Sequence, residues 1–354
     1  MSKFWNQKTR ELNPYVPGEQ PKDGQKLIKL NTNECPYPPS PAVAEVLKNF
    51  DPVTLRLYPN ADGYGARKAF ADRNGLSVEQ VFAGNGSDEV LAIAFQTFFG
   101  GDSPILFPQI SYSFYPVYCE LYGIAFRQVP MKEDFSIPVE EFLRPCGGVV
   151  LANPNAPTTL FLGKEDIIRI LETHPDQVVI IDEAYVDFGG ESMLGLIHEY
   201  DNLLVVQTLS KSRGLAGLRV GFAAGHKDLI AGLDRVKNSF NSYTLDRLAI
   251  ACAEASLKDE EYFRQTVRKM MNTRERIVPK MKEMGFQVLD SKANFIFATR
   301  PGTDAASLFS YLKEQGILVR YFKQPGIDQY LRISIGTDGE MDALLSAVSQ
   351  FLSK

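Results

Sequence analysis

Six short β-rich runs in the first two thirds of the sequence restrict the fold more than any other feature. They span residues 104–107, 123–129, 148–151, 178–181, 203–208 and 221–224. Most are apolar throughout and do not alternate with polar residues, which is typical of strands covered by helices on both faces. Helical patterns such as 41–50 and 65–74 take turns with strand signals along the chain. The sequence therefore predicts an α/β fold in which helices sandwich a mainly parallel sheet.

After residue 240 the pattern changes. A long helical stretch, charged on one face, runs from 245 to about 284. Strand and helix signals then mix, at 286–289, 294–298, 304–315, 317–320, 331–335 and 341–352. This mixture predicts a smaller α+β domain. We therefore expect an N-terminal arm (1–35), a large domain (36–245) and a small C-terminal domain (246–354).

Composition excludes several classes of partner. The net charge of −5, with no run of Lys or Arg, argues against nucleic-acid binding. The cysteines form no C-x-x-C pair and the histidines are isolated, so neither a zinc site nor a Ser-His-Asp triad is indicated. No apolar run approaches the roughly 18 residues of a membrane span, and the N-terminus does not resemble a signal peptide. We expect small-molecule partners, no metal, no membrane association and a cytoplasmic location.

The sharpest local motif is the segment 208–219, which directly follows an apolar run and contains Lys211. A lysine there would lie at the carboxyl end of a strand, where open α/β sheets bind ligands. Lysine forms a Schiff base with an aldehyde cofactor once its ammonium group loses a proton. A solvated surface lysine in a Gly-rich turn is the alternative. Ser210 and Arg219 favour the cofactor site because together they could hold a phosphate beside the lysine.

Two further segments carry candidate polar groups at strand ends. Asp182 ends the apolar run 179–182, where its carboxylate could keep a pyridine nitrogen protonated or could simply face water. Ser87 and Asp88 precede a helical run at 90–99, where free N–H groups attract an anion. An ordinary N-cap explains the same residues.

Three other side chains could complete such a site. Tyr185 and Asn155 could hydrogen-bond a phenolic oxygen of the cofactor, although Tyr185 could equally pack in the interior and Asn155 lies in a turn. Tyr112 could stack on a pyridine ring, although aromatic residues more often pack in the core.

In this order the motifs resemble those of fold-type I pyridoxal-phosphate enzymes of the class I/II aminotransferase group, and above all the histidinol-phosphate aminotransferases. The resemblance covers nearly the whole chain, through segments 13–19, 30–34, 36–41 and 331–337. It implies pyridoxal 5′-phosphate as cofactor and transamination between histidinol phosphate and 2-oxoglutarate, a step of histidine biosynthesis.

The resemblance also implies a role for individual residues. Lys211 would carry the cofactor and move the substrate proton. The cofactor would further be held by Asp182 at the pyridine nitrogen, Tyr112 on the ring, Tyr185 and Asn155 at the phenolic oxygen, and Ser87, Asp88, Ser210 and Arg219 at the phosphate.

The remaining implied residues concern the substrate and a second subunit. Tyr15, Asn33, Arg320 and Arg332 would recognise the substrate, with the arginines facing the phosphate of histidinol phosphate or the carboxylate of glutamate. Tyr58 would reach the phosphate of the neighbouring subunit, which implies a homodimer with shared sites.

The sequence departs from the family pattern Asn-Pro-Asn-Asn-Pro-Thr-Gly at two positions of segment 153–159, where it has Ala156 and Thr159. Asn155 is the candidate for the amide that faces the cofactor, although Ala156 occupies the position that often carries this role. Cys35 also stands where another small or polar residue is expected, and no physical reason for it is evident.

Other functions remain open. An aromatic amino-acid aminotransferase and a phosphothreonine decarboxylase share the fold. A non-catalytic pyridoxal-phosphate-binding regulator is a different class, and the lack of a helix-turn-helix extension or basic patch argues against it. Neither G-x-G-x-x-G nor a P-loop motif occurs, which argues against a nucleotide-binding protein.

Overall fold

The computed structural model describes residues 2–21 and 27–353. The strands are β1 (Ile28–Lys29), β2 (Val81–Asn85), β3 (Ile105–Pro108), β4 (Phe126–Val129), β5 (Val149–Ala152), β6 (Val179–Asp182), β7 (Leu203–Thr208), β8 (Val220–Gly225), β9 (Gln287–Val288), β10 (Phe295–Thr299), β11 (Ile317–Leu318), β12 (Arg320–Tyr321) and β13 (Leu331–Ser334).

The helices are α1 (Gln7–Glu11), α2 (Pro41–Asn49), α3 (Tyr64–Asn74), α4 (Gly86–Phe98), α5 (Phe114–Tyr122), α6 (Val139–Phe142), α7 (Lys164–Thr173), α8 (Lys227–Phe240), α9 (Arg247–Lys258), α10 (Glu260–Glu283), α11 (Ala305–Glu314) and α12 (Asp338–Leu352). Within the described ranges, no helix combines the length and apolar character needed to cross a membrane.

A seven-stranded sheet in the order β2-β8-β7-β6-β5-β3-β4 forms the centre of the large domain. Only β8 runs against its neighbours β2 and β7, and the remaining strands are parallel to one another. Successive side chains of a strand point to opposite faces, and here both faces are covered. Ile181 and Val205 belong to one hydrophobic cluster and Ile180 and Leu204 to the other. The predicted α/β fold with a mainly parallel sheet is therefore confirmed.

The C-terminal part contains the predicted α+β unit. An antiparallel sheet, β12-β13-β10-β9, packs against α10, α11 and α12 around a core that includes Ile296, Ile333, Met281, Leu308 and Leu344. The predicted strand at 317–320 is divided into β11 and β12, and β11 pairs with β1 in a separate two-stranded sheet.

Two of the predicted domain boundaries differ from the packing. The arm was expected to cover 1–35, of which residues 1 and 22–26 lie outside the described residues, yet β1 pairs with β11 and Leu30 is buried in the small-domain core. The small domain was expected to begin at 246, but Cys252 and Leu257 of α9 lie in the large-domain core. The helical stretch predicted to run unbroken from 245 is interrupted at Asp259, whose side chain caps α10 by accepting from Tyr262 N.

Candidate active site

A cavity of about 410 Å³ lies where the carboxyl ends of β5, β6 and β7 meet the start of α4 and the small domain. Strand order brings these ends to one edge of the sheet, as in other open α/β folds. Every predicted site residue except Asn155 and Tyr58 lines it: Tyr15, Asn33, Ser87, Asp88, Tyr112, Asp182, Tyr185, Ser210, Lys211, Arg219, Arg320 and Arg332.

Lys211 projects into this cavity from the loop after β7. Its Nζ donates to the carbonyl oxygen of Thr32 at 3.3 Å and lies 5.7 Å from the centre of the Tyr185 ring. The next two residues, Ser212 and Arg213, hold the loop in place by hydrogen bonds. Ser212 Oγ donates to Asp187 at 2.5 Å, and buried Arg213 donates to the carbonyl oxygen of Ser256. The lysine is thus held on a fixed loop while its amine has a single neutral acceptor among the described residues.

Asp182 forms a buried acidic group at the floor of the cavity and is only 5% exposed. One oxygen accepts from the hydroxyl of Tyr115 at 3.0 Å, and the other accepts from Ala184 N at 3.2 Å. Burial raises the pKa of Asp182 to about 6, and these two donors oppose that rise. A carboxylate buried at the cavity in this way suits a cationic partner.

An anion-binding corner lies at the start of α4. Arg219, with φ of 54°, places Nη2 at 3.0 Å from Asp88 Oδ2 and Nη1 at 3.5 Å from Ser210 Oγ. The first N–H groups of a helix have no acceptor within it and attract anions. Two glycines let Arg219 and the start of α4 lie this close to the neighbouring backbone. A Cβ at Gly86 would lie 2.5 Å from Arg219 Nη2, and one at Gly221 would lie 2.4 Å from Ser87 N. Hydroxyls, a guanidinium and free N–H groups are a donor set that suits a phosphate.

Aromatic side chains form the side of the cavity next to this corner. The Tyr112 hydroxyl donates to Asp88 Oδ1 at 2.6 Å, and its ring meets that of Tyr115 edge-on at 5.6 Å. Tyr15 stacks on Phe114 at 4.3 Å. The Tyr112 ring is therefore fixed at both its hydroxyl and its edge.

Two arginines from the small domain, Arg320 and Arg332, also line the cavity. Arg332 donates from Nη2 to the carbonyl oxygen of Asn31 at 2.8 Å, and its buried Nε has no hydrogen-bond partner within residues 2–21 and 27–353. Burial lowers the pKa of Arg332, and the nearby charge of Arg320 lowers it further. Neither arginine forms an ion pair with a carboxylate of the described chain. A partly desolvated cation without a counter-ion is costly unless an anion completes it.

Asn155 does not take the predicted place. It is fully buried, and its Nδ2 donates to the carbonyl oxygen of Ile110 at 2.9 Å and to Thr158 Oγ1 at 2.8 Å. Its Oδ1 accepts from Ser111 Oγ at 2.8 Å. Both amide hydrogens are used, and the neighbours Ala156 and Pro157 line the cavity whereas Asn155 does not. The prediction that Asn155 donates to a cofactor therefore has no support in this geometry.

Tyr58 lies outside the cavity. It is 77% exposed and stacks on Tyr243 at 4.6 Å. Its predicted contact with a neighbouring subunit stays a prediction.

Two contacts in the site are not indicated by the sequence. The Tyr115 hydroxyl donates a hydrogen bond to Asp182, and Asn33 Nδ2 donates to the Tyr185 hydroxyl at 3.1 Å. Tyr112 precedes α5 whereas Tyr115 lies in its first turn, and no pattern in the sequence distinguishes the roles of the two tyrosines. In the described part of the chain no group of His, Cys, Asp and Glu side chains could hold a metal ion.

The chain matches the family "Aminotransferase class I and II" over residues 25–348. It is 54% identical over 353 residues to a histidinol-phosphate aminotransferase of Clostridium acetobutylicum, with 100% of both chains covered. It is 55% identical over 354 residues to histidinol-phosphate aminotransferase 2 of Dechloromonas aromatica, with 99% of both covered.

A solved structure shares the fold. Histidinol-phosphate aminotransferase from Sinorhizobium meliloti, in complex with pyridoxal 5′-phosphate, superposes with a TM-score of 0.90 at 23% identity, covering 100% of this chain and 98% of that one. With the match to the family over most of its length and full-length relatives above 50% identity, the chain belongs to the class I and II aminotransferases and, among them, to the histidinol-phosphate aminotransferase family.

Proposed function

We propose that this chain transaminates histidinol phosphate with 2-oxoglutarate, a step of histidine biosynthesis, using pyridoxal 5′-phosphate bound at Lys211. Full-length identity of 54% to a relative of that name supports the reaction. The observation that carries the proposal is the cavity itself, where Lys211, the buried carboxylate of Asp182 and the unpaired cation of Arg332 face one space.

The residues present fit the cofactor. When bound, pyridoxal phosphate supplies an aldehyde group that reacts with an amine and a ring that takes up electrons from the substrate. Asp182 would pair with the ring nitrogen, the fixed ring of Tyr112 would stack on the pyridine, and the Tyr185 hydroxyl would donate to the phenolic oxygen. Each of these side chains already lines the cavity.

The corner at the start of α4 would hold the cofactor's phosphate. Ser87, Ser210 and Arg219 supply donors from three different segments. The Asp88 carboxylate would repel a phosphate, so its side chain contributes indirectly, by pairing with Arg219 and accepting from Tyr112. Its backbone N–H, in the first turn of the helix, is the part suited to an anion.

Lys211 would move the proton. Its Nζ has one weak neutral contact, to the Thr32 carbonyl at 3.3 Å, so little must be broken before the amine takes a proton from the substrate's α-carbon. The same amine could then return the proton, so Lys211 would serve as both anchor and general acid/base. The loop behind it, tied by Ser212 to Asp187, keeps the amine within the cavity.

Arg320 and Arg332, with Tyr15 beside them, would bind the anionic end of the substrate. A guanidinium donates hydrogen bonds to a phosphate or to a carboxylate with similar geometry. Histidinol phosphate and glutamate would therefore use the same arginines in turn, which a two-substrate exchange at one site requires. Ping-pong kinetics are expected.

A homodimer with shared sites is part of the proposal. Leu57, Tyr58 and Tyr243 are exposed apolar side chains next to one another: Tyr58 stacks on Tyr243, and Arg247 donates to the carbonyl oxygens of Leu57 and Tyr58. Exposed apolar groups that cluster in this way are typical of protein interfaces. Sedimentation analysis should give twice the chain mass; a monomer that retains full activity would refute shared sites. A cytoplasmic location stays a prediction of the sequence.

The test is a half-reaction followed by absorption. Purified protein is loaded with pyridoxal phosphate, and histidinol phosphate, phenylalanine or phosphothreonine is added without a keto acid. Histidinol phosphate should convert the cofactor's visible band to the pyridoxamine form far faster than phenylalanine. Phosphothreonine should release no carbon dioxide.

Other outcomes would contradict the proposal in distinct ways. Faster conversion by phenylalanine would indicate an aromatic aminotransferase, and carbon dioxide from phosphothreonine a decarboxylase. A band that none of the three compounds changes would indicate a regulator, and absence of any band would refute the cofactor site.

A further inference from the structure

The Tyr185 hydroxyl is held by an amide from a distant part of the sequence. Asn33 Nδ2 donates to it at 3.1 Å across the cavity floor. Asn33 is 1% exposed and adopts a left-handed backbone with φ of 57°, a conformation that asparagine tolerates better than most residues. The position of this amide is therefore built into the fold.

The hydrogen bonds of Ser334 fix which end of the amide faces Tyr185. Asn33 N donates to Ser334 Oγ at 2.8 Å, and Ser334 Oγ donates to Asn33 Oδ1 at 3.0 Å. The amide oxygen is thereby occupied, so its nitrogen must point to the tyrosine. Asn294 Nδ2 also donates to the Asn33 carbonyl oxygen at 3.0 Å, which ties the residue to the small domain.

This arrangement decides what the tyrosine can do. Because the hydroxyl oxygen accepts from Asn33, its hydrogen is directed elsewhere, and the hydroxyl donates to no other group of the described chain. The remaining direction is the cavity that Tyr185 lines. The segment 155–156 offers no side-chain donor there, because the Asn155 amide donates to Ile110 and Thr158 and the alanine side chain has no donor.

We infer that Asn33 is a positioning residue that acts through Tyr185, orienting its hydroxyl as a donor to the phenolic oxygen of the cofactor. The inference rests on the proposed function for the identity of that oxygen. It gives Asn33 a role different from the direct substrate contact expected of it. It also makes the donor depend on the small domain, through Ser334.

The test is the pH at which the visible absorption of the bound cofactor changes. Asn33→Asp replaces the donor by an acceptor, so Tyr185 turns its hydrogen towards the new carboxylate and away from the cofactor. The form with more negative charge on the phenolic oxygen then loses a donor, and the midpoint should move up by about one pH unit or more, the effect of one hydrogen bond to a charged group.

Asn31→Asp is the matched control. Asn31 lines the same cavity, is 3% exposed and donates from its side chain to the Glu19 carbonyl oxygen. The substitution adds the same charge two residues away without touching Tyr185. Its shift therefore measures the charge effect alone. Asn33→Gly, which suits a positive φ, removes the donor without adding charge and covers the case in which Asn33→Asp fails to fold.

The decisive comparison uses a Tyr185→Phe background. If Asn33 acts through the hydroxyl, Asn33→Asp shifts the midpoint there no more than Asn31→Asp does. Equal shifts of the two variants in the parent protein, together with no shift for Asn33→Gly, would overturn the inference while leaving the proposed function intact. Absence of the cofactor band in the parent protein would overturn both.

Discussion

The charged side chains on two sides of the cavity differ in whether they have partners within the protein. The sheet side, made of Ser87, Asp88, Asp182, Ser210 and Arg219, has its charges satisfied: Arg219 pairs with Asp88 at 3.0 Å and Asp182 accepts from Tyr115 at 3.0 Å.

The arginine side, made of Arg320 and Arg332, has no carboxylate partner in the described chain, and Arg332 Nε is unsatisfied. Side chains that are already held by ion pairs or hydrogen bonds are preorganised, which suits a ligand that remains bound through the reaction. An unpaired cation is tolerated where an anion comes and goes, because the anion supplies on binding what the fold lacks. Under the proposed function, the difference would separate a resident cofactor from a transient substrate.

Lys211, between the two sides, should show the largest effect. Under the proposed function, Lys211→Ala would remove both the covalent anchor and the proton carrier, so turnover should fall by at least about 10⁴-fold. The sheet side is untouched, so pyridoxal phosphate should still bind without a covalent bond, as equilibrium dialysis and steady-state rates would measure. Lys292→Ala, a lysine outside the cavity that lies 4.0 Å from Asp290, should keep its turnover. Turnover within tenfold of the parent in Lys211→Ala would refute the assignment.

Replacement of Arg332 tests the arginine side. Arg332→Met should lower kcat/KM for histidinol phosphate by about 100-fold, the loss of a strong charge-assisted hydrogen bond. The same change should leave the thermal stability of the cofactor-free protein unchanged or raise it, because an uncompensated charge is removed. A loss of several degrees in Tm with unaltered kcat/KM would mean that Arg332 serves the fold.

Asp88→Asn tests the sheet side, where the sign for stability should reverse. Arg219 loses its partner, but both side chains are about 40% exposed (42% and 41%), so stability should fall by less than about 1 kcal/mol. Retention of pyridoxal phosphate should weaken about tenfold because Arg219 is no longer held. Glu89→Gln removes the same charge from the same helix turn, where Glu89 accepts from Asn85 N at 2.6 Å, and should retain the cofactor better. Equal weakening in both variants would show that only the charge of the helix end matters.

The sequence predicted the parts of this site that follow from strand order. Apolar runs without alternation indicated buried parallel strands, and the carboxyl ends of such strands meet at one edge. Lys211 and Asp182 each follow or end such a run, so their meeting could be expected before the structure was known.

What the sequence could not predict are contacts between distant segments. Asn33 and Ser334 are 301 positions apart, and Tyr115 and Asp182 are 67 apart. No local pattern specifies such pairs. The turn chemistry of Asn155 was equally consistent with an amide facing the cavity or turned away, and packing against Ile110 and Thr158 decided it. Likewise the amphipathic pattern of α9 predicts a buried face but not the domain that buries it.

The smallest predicted effect concerns Tyr115, the buried tyrosine that donates to Asp182 on the sheet side. The pKa of Asp182 is raised to about 6, above its ordinary 3.8, so the folded state loses stability as pH rises through this interval. Tyr115→Phe removes a donor to the carboxylate and should raise that pKa further. The loss of Tm in the cofactor-free variant should therefore be small at pH 4 to 5, where Asp182 is protonated, and greater by a few degrees at pH 8.

Tyr118→Phe is the control because its hydroxyl donates to the Asp88 carbonyl oxygen at 3.0 Å, which does not titrate. Its loss of Tm should not depend on pH. The other charges that act on Asp182, those of Asp88 and Lys211, are common to all three proteins, as is buried Glu183, whose pKa burial raises to about 7. They cancel when variants are compared with the parent at each pH. Losses of Tm that depend on pH in the same way in both variants would mean that Tyr115 only fills space. The groups that stabilise the Asp182 carboxylate would then be the Ala184 N–H and Lys211.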